Sequence, residues 1–188
     1  MSALLATAGC GGNGETEEPT TVAAGTEAST EAAAETESVP SGDGTREAPF
    51  SPGSTASIGD YEVSLGSAIL NANEMVAQEN QFNDPPAEGR QFVLVPVTAT
   101  YTGDESGTAW VDLSIQFVGA GGNTFGDGMD DHCGVIPNSL TDQGEMYGGA
   151  TVEGNACVSV PSDQVEGGTW VLEDPYDFDD TKVFFAIQ

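Results

Sequence analysis

The stretch QFVLVPVTATY, residues 91–101, is apolar on both faces from Phe92 to Val97 and rich in β-branched residues. A strand wet on one side alternates polar and apolar residues, so a run apolar on both faces reads as the central strand of a packed sheet. Working outward, YEVSL (61–65) sets Tyr61, Val63 and Leu65 against Glu62 and Ser64, as a strand with one wet face does. AWVDLSIQFVG (109–119) also alternates, with Val111, Leu113, Ile115 and Phe117 opposite Asp112, Ser114 and Gln116. GATVEGNACVSVP (149–161), TWVLE (169–173) and the terminal KVFFAIQ (182–188) are short, β-prone and bounded by Gly, Pro or Asp. The segments TGDESGT (102–108) and GAGGNTFG (119–126) carry the residues that turns require. No helical stripe exceeds two turns, and residues 72–82 suit either one short helix or a loop.

Seven or so short strands within residues 49–188 predict an all-β, antiparallel β-sandwich of the immunoglobulin-like class. Trp110 and Trp170 are its natural large core residues. The Cys and Trp spacing of antibody domains is absent, because Cys133 falls in a loop only 24 positions before Cys157.

Charge removes whole classes of function. Asp plus Glu number 31 against 3 Lys plus Arg, a formal net charge of −28, which repels nucleic acid and anionic lipid head groups. The bland reading of this acidity is solvation, including solvation in a saline habitat; the sharp one is a cationic partner. Residues 11–48 hold nine acidic residues, one Arg, no aromatic residue and no Leu or Ile. Such a segment cannot bury enough apolar surface to offset its ordering entropy, so it is expected to be a disordered linker ahead of the folded unit.

The residues LLATAGC (4–10) resemble the lipobox that ends a bacterial lipoprotein signal peptide, with small Ala8 and Gly9 before Cys10 and Gly11 and Gly12 after it. The resemblance implies that Cys10 is diacylated and becomes the mature N-terminus, so the domain is anchored to the cell membrane by lipid and faces outward on its acidic tether. Thr7 stands where an aliphatic residue is usual, and little of a leader precedes it. Residues 1–10 are therefore read as a truncated signal peptide, with the true start upstream of Met1. The alternative is an exposed free thiol in a tail. No run of about 18 apolar residues is present, so membrane contact is expected through the anchor alone. Export would oxidise Cys133 and Cys157, so a structural disulfide is expected in preference to two buried thiols, and in preference to a redox motif or a zinc knuckle because neither has a CxxC neighbour.

The order GDYEVSLGSA (59–68), PAEGRQFVLVPVTATYTG (86–103), LSIQFVGAGGNTF (113–125) and GGATVEGNACVSVP (148–161) resembles the immunoprotective extracellular domain, a telokin-like immunoglobulin fold of Gram-positive secreted antigens and lipoproteins. The resemblance spans roughly residues 55–188 and implies an extracellular binding or envelope role without naming a ligand.

His132, in FGDGMDDHCGV (125–135), lies beside Asp130, Asp131 and Cys133. One His is enough for a hydrolytic triad, but no GxSxG elbow exists and neighbours along a loop do not point at one another, so no enzymatic activity is expected. His132 reads as a solvent-facing loop residue. Asp127, Asp130 and Asp131 in DGMDDH, and Asp177, Asp179 and Asp180 in EDPYDFDD, offer carboxylate clusters that a calcium ion could use. Neither run has the offsets of an EF-hand loop, and clusters arise by chance in so acidic a chain. The leading expectation is a non-catalytic surface module that binds an unknown protein or envelope component without a cofactor. The alternatives are a calcium-dependent structural or adhesion domain and a hydrolase around His132.

Overall fold

The computed structural model describes residues 42–188. Cys10, the leader stub 1–10 and most of the linker 11–48 lie outside the described residues.

Among the described residues ten strands form, named in chain order: β1 (Thr55–Ile58), β2 (Tyr61–Leu65), β3 (Arg90–Tyr101), β4 (Ser106–Gly107), β5 (Ser114–Val118), β6 (Thr124–Phe125), β7 (Met146–Tyr147), β8 (Thr151–Pro161), β9 (Thr169–Glu173) and β10 (Lys182–Ala186). Two short helices join them, α1 (Asn73–Glu79) and α2 (Ala109–Asp112). One sheet has the order β1-β2-β3-β8, the other β10-β9-β5-β6, and β4 pairs with β7 as a small ribbon. All strand pairs are antiparallel. In immunoglobulin lettering β2-β3-β8 is A-B-E and β10-β9-β5-β6 is G-F-C-C′, so the expected immunoglobulin-like sandwich is what forms. Residues 126–150 replace strand D with two 3₁₀ turns, Met129–Asp131 and Leu140–Asp142, and β7.

The central position of β3 explains its double-sided apolarity. Val93, Val95, Val97, Ala99 and Tyr101 join the core between the sheets, with Phe117, Trp170, Leu172 and Phe185 from the other layer. Phe92 and Leu94 face the opposite side, where Ala72, Val76 of α1, Cys133 and Ile136 cover them. A proline is tolerated in this long strand because the Pro96 carbonyl bonds Gly66, placing its donorless nitrogen on the side where β2 has already ended at Leu65.

Two expectations are corrected. The third strand does not begin at Ala109: the Val111 and Asp112 amides both donate to the Thr108 carbonyl and wind 109–112 into a helical turn. Side chains in that turn are spaced by the helical angle instead of alternating, so Ala109 is buried while Trp110 is 48% exposed and lies outside the core. The folded unit also begins earlier than residue 49. The Gly44 carbonyl accepts from Phe184 N, Phe50 N donates to the Phe184 carbonyl, and the Phe50 ring packs 5.7 Å from that of Phe185. Backbone pairing with the edge strand β10, which composition cannot report, orders these residues.

Cys133 and Cys157 form the expected disulfide, Cα atoms 6.1 Å apart, tying the 126–150 connection to β8. Its reduction, or a Cys133→Ala/Cys157→Ala double variant, is expected to cost about 3 kcal/mol in the chain-entropy account of a loop this long. Urea unfolding with and without reductant measures it, and an unchanged midpoint would show that the second apolar cluster holds the loop unaided.

Candidate functional site

At one end of the sandwich the β1–β2 turn, the B–C connection (102–113) and the F–G connection (174–181) come together, the end at which immunoglobulin variable domains carry two of their binding loops. The Thr102 amide donates to the Asp60 carbonyl at 2.8 Å, holding the first two side by side. Between the three lies a cleft of about 450 Å³ lined by Asp60, Asp104, Glu105, Asp112 and Asp174, by Tyr61, Tyr101 and Tyr176, and by Ser106. Five carboxylates therefore face one cleft with no Lys or Arg among them.

The two inner tyrosines are opposite partners across β2 and β3, rings 5.1 Å apart and edge to face. Tyr61 Oη donates to Asp112 Oδ2 at 2.7 Å, and the Thr108 amide donates to the same oxygen at 2.7 Å. Burial first, and then this bond to Asp112, pushes the Tyr61 phenol well above its ordinary value. Burial also raises Tyr101, followed by the charges of Asp60, Glu105 and Asp112. Both phenols are thus neutral at any physiological pH; their side chains are buried, whereas the Tyr176 ring at the same cleft is exposed. Gly107 is required beside them, since a Cβ there would overlap the Tyr61 hydroxyl and stand 2.9 Å from Asp112 Oδ2.

The asymmetry of the site is that Asp112 is partnered while Asp60, Asp104 and Glu105 accept no side-chain-directed hydrogen bond among the described residues. Their lone pairs face the cleft or solvent. Free carboxylates beside the exposed Tyr176 ring suit a cation, which gains charge-assisted hydrogen bonds from the former and ring-face attraction from the latter.

The carboxylates singled out in the sequence go elsewhere. Asp131 turns inward to Arg90 and accepts from the Gly126 and Gly128 amides, while Asp127 accepts from Gln116 Nε2. Asp177 caps its own loop, accepting from Asp179 N at 2.9 Å and Thr181 N at 3.3 Å, and the Thr181 side chain first, then these amides, hold its carboxyl below the ordinary value. Asp130, Asp179 and Asp180 stay exposed on their turns. Among the described residues no group of three or more His, Cys, Asp or Glu side chains is placed to hold a metal ion. The two runs do not cluster because their members are satisfied by nearby amides or point apart. His132 is exposed, as expected of a loop residue. Of the cleft carboxylates only Asp174 lay in a quoted acidic run; residues 60, 101–112 and 174–176 meet through strand pairing and the loops that close upon it.

Topology and site together define an immunoglobulin-like β-sandwich with an acidic, tyrosine-lined loop end. No family model and no curated protein matches the chain. Solved structures of similar shape include a conserved hypothetical protein of Bacillus anthracis, 12% identical, TM-score 0.45, over 70% of this chain and 91% of that one. An uncharacterized β-sandwich protein of Clostridium difficile is 10% identical, TM-score 0.42, over 73% and 91% of the two chains. A candidate lipoprotein of Bacillus subtilis is 13% identical, TM-score 0.44, over 70% of this chain but 37% of its own length.

Proposed function

We propose that this protein is a non-catalytic extracellular binding module, anchored to the cell membrane through a diacylated Cys10 and held off the surface by its acidic linker. Its loop end takes a cationic group of a protein or envelope component. The observation that carries this reading is the convergence of five carboxylates and three tyrosines on one cleft without a basic residue. The lipobox-like LLATAGC and the acidic composition of 11–48 support the surface location. The telokin-like immunoprotective family fits the same reading, since it implies an extracellular Ig-like module. The reading involves no enzymatic step and no cofactor, and on it a calcium chelator leaves the melting temperature unchanged.

The test must separate the cleft from the general field of a chain at −28. An oligo-arginine peptide is titrated into the full chain and into two triple variants of equal charge change. Asp60→Asn/Glu105→Gln/Asp174→Asn neutralises the cleft, and Asp127→Asn/Asp130→Asn/Asp163→Asn neutralises other loops. The cleft variant is expected to bind at least about tenfold more weakly, or about 1.4 kcal/mol, and the control to stay near wild type. Equal losses would mean that binding follows total charge and that the cleft is not a site.

A further inference from the structure

A second cleft, of about 480 Å³, lies on the far side of α2 and shares no lining residue with the acidic one. Its apolar walls come from Leu113, Ile136, Leu140 and the Cys133–Cys157 disulfide, and Trp110 stands at its rim with about half of its surface open. Between these sit uncharged polar groups: His132, Ser139, Thr141 and Asn155. No Asp, Glu, Lys or Arg lines it, in a chain with 31 acidic residues. This cleft is a neutral island in an acidic surface, and its volume falls within the range of about 300–1,000 Å³ usual for small-ligand sites.

The polar groups are held in place yet retain capacity. Asn155 Nδ2 is committed to the Pro137 carbonyl at 2.7 Å, which fixes the carbamoyl plane while its oxygen has no partner among the described residues. Ser139 and Thr141 hydroxyls bond each other at 2.8 Å, an arrangement that leaves one proton and lone pairs to offer. His132 makes no hydrogen bond among the described residues.

The surrounding negative field disfavours an anion, and a cation finds no carboxylate here to desolvate against. A purely apolar ligand would leave the Asn155 oxygen and the His132 ring buried without partners, which costs free energy. An uncharged ring with an apolar face and polar edges meets every condition. Its polarised C–H groups lie on the negative face of the Trp110 indole, and its hydroxyls bond the neutral polar groups. We propose that this cleft is a binding site for a neutral saccharide, with Trp110 as its stacking platform. The proposal does not depend on the cationic-ligand reading, because the two sites are made of different residues.

Trp170 is fully buried, so acrylamide quenching of the full chain's fluorescence reports on Trp110. The probes are neutral gluco- and N-acetylglucosamine oligosaccharides at millimolar concentration, a uronic-acid oligomer, and a short uncharged peptide rich in Phe and Leu. A neutral oligosaccharide is expected to protect Trp110, and the uronic-acid oligomer and the peptide are not. In calorimetry with that sugar, Trp110→Ala should weaken binding at least about tenfold. Thr141→Asp, which places a charge on an exposed wall, should weaken it as well, both variants keeping the oligo-arginine affinity and staying folded with a melting temperature within about 4 °C of wild type. Protection by no neutral sugar, protection by the peptide instead, or unchanged affinity in Trp110→Ala would each overturn the proposal.

Discussion

Replacing Trp170 by alanine is expected to destabilise the domain by about 3–5 kcal/mol, the cost of removing a large buried aromatic side chain, whereas Trp110→Ala should cost less than about 1 kcal/mol. Trp170 is completely buried in the sheet opposite β3. The register places it between Phe117 of β5 and Phe185 of β10, and its ring meets Phe117 edge to face with centroids 5.2 Å apart. Gly168 belongs to the same arrangement, since a Cβ there would overlap the Phe117 ring. Removing the indole therefore opens a cavity bordered by two aromatic rings that pairing on both sides prevents from collapsing. Trp170→Phe separates volume from polarity. The indole Nε1 is buried without a hydrogen-bond partner, so phenylalanine gives up volume but also removes an unsatisfied donor, and its cost should stay below about 2 kcal/mol. Urea unfolding followed by far-UV circular dichroism measures all three variants. Similar losses for Trp110→Ala and Trp170→Ala would contradict the packing described here.

The second large effect is expected at Arg90, where substitution by alanine should cost about 3–5 kcal/mol by leaving an enclosed carboxylate without its cation. The side chains of Arg90 and Asp131 are 16% and 10% exposed. Arg90 Nη2 donates to Asp131 Oδ1 and to the Ser159 carbonyl, Nε donates to Ser159 Oγ at 3.0 Å, and the guanidinium lies 5.5 Å from the centroid of the Phe125 ring. Asp131 Oδ2 accepts the Gly126 and Gly128 amides at 2.9 and 3.0 Å. One ion pair thus joins the start of β3, the end of β8, β6 and the 3₁₀ turn that replaces strand D.

The pH dependence follows from the same geometry. Burial pushes the Asp131 carboxyl up, but the two glycine amides and Arg90 together outweigh it, and the net shift is below the ordinary value of 3.8. A carboxyl lowered in the folded state binds protons more weakly there than in the unfolded chain. Its stabilising contribution is therefore complete above 3.8 and is lost as pH falls through the folded value. The stability gap between wild type and Arg90→Ala should accordingly be widest near neutrality and narrow on acidification past that point. A gap independent of pH, or one below about 1 kcal/mol at neutral pH, would show the pair to be no stronger than an exposed salt bridge.

The strands at 61–65, 91–101, 169–173 and 182–186 were legible because their signals are local: alternation at 61–65, a run apolar on both faces at 92–97, and short β-prone segments between turn residues for the last two. The Cys133–Cys157 bridge followed from counting cysteines in a chain with a lipobox-like start. The strand expected from Ala109 failed because the Thr108 carbonyl accepts two amides and coils the next four residues, which alternation of side-chain types does not reveal. The partners of the acidic runs were illegible for a related reason, since adjacency along a loop says nothing about which amide or cation each carboxylate will face.

Periodicity, composition and residue count alone account for the sandwich, the disulfide and the acidity. Folding of the whole chain is what makes Asp60, Tyr101, Asp112 and Asp174 share a cleft, pairs Arg90 with Asp131 and sets Trp110 against an uncharged pocket. Those juxtapositions join residues tens of positions apart, and they come from strand register and loop closure, which involve the whole chain at once.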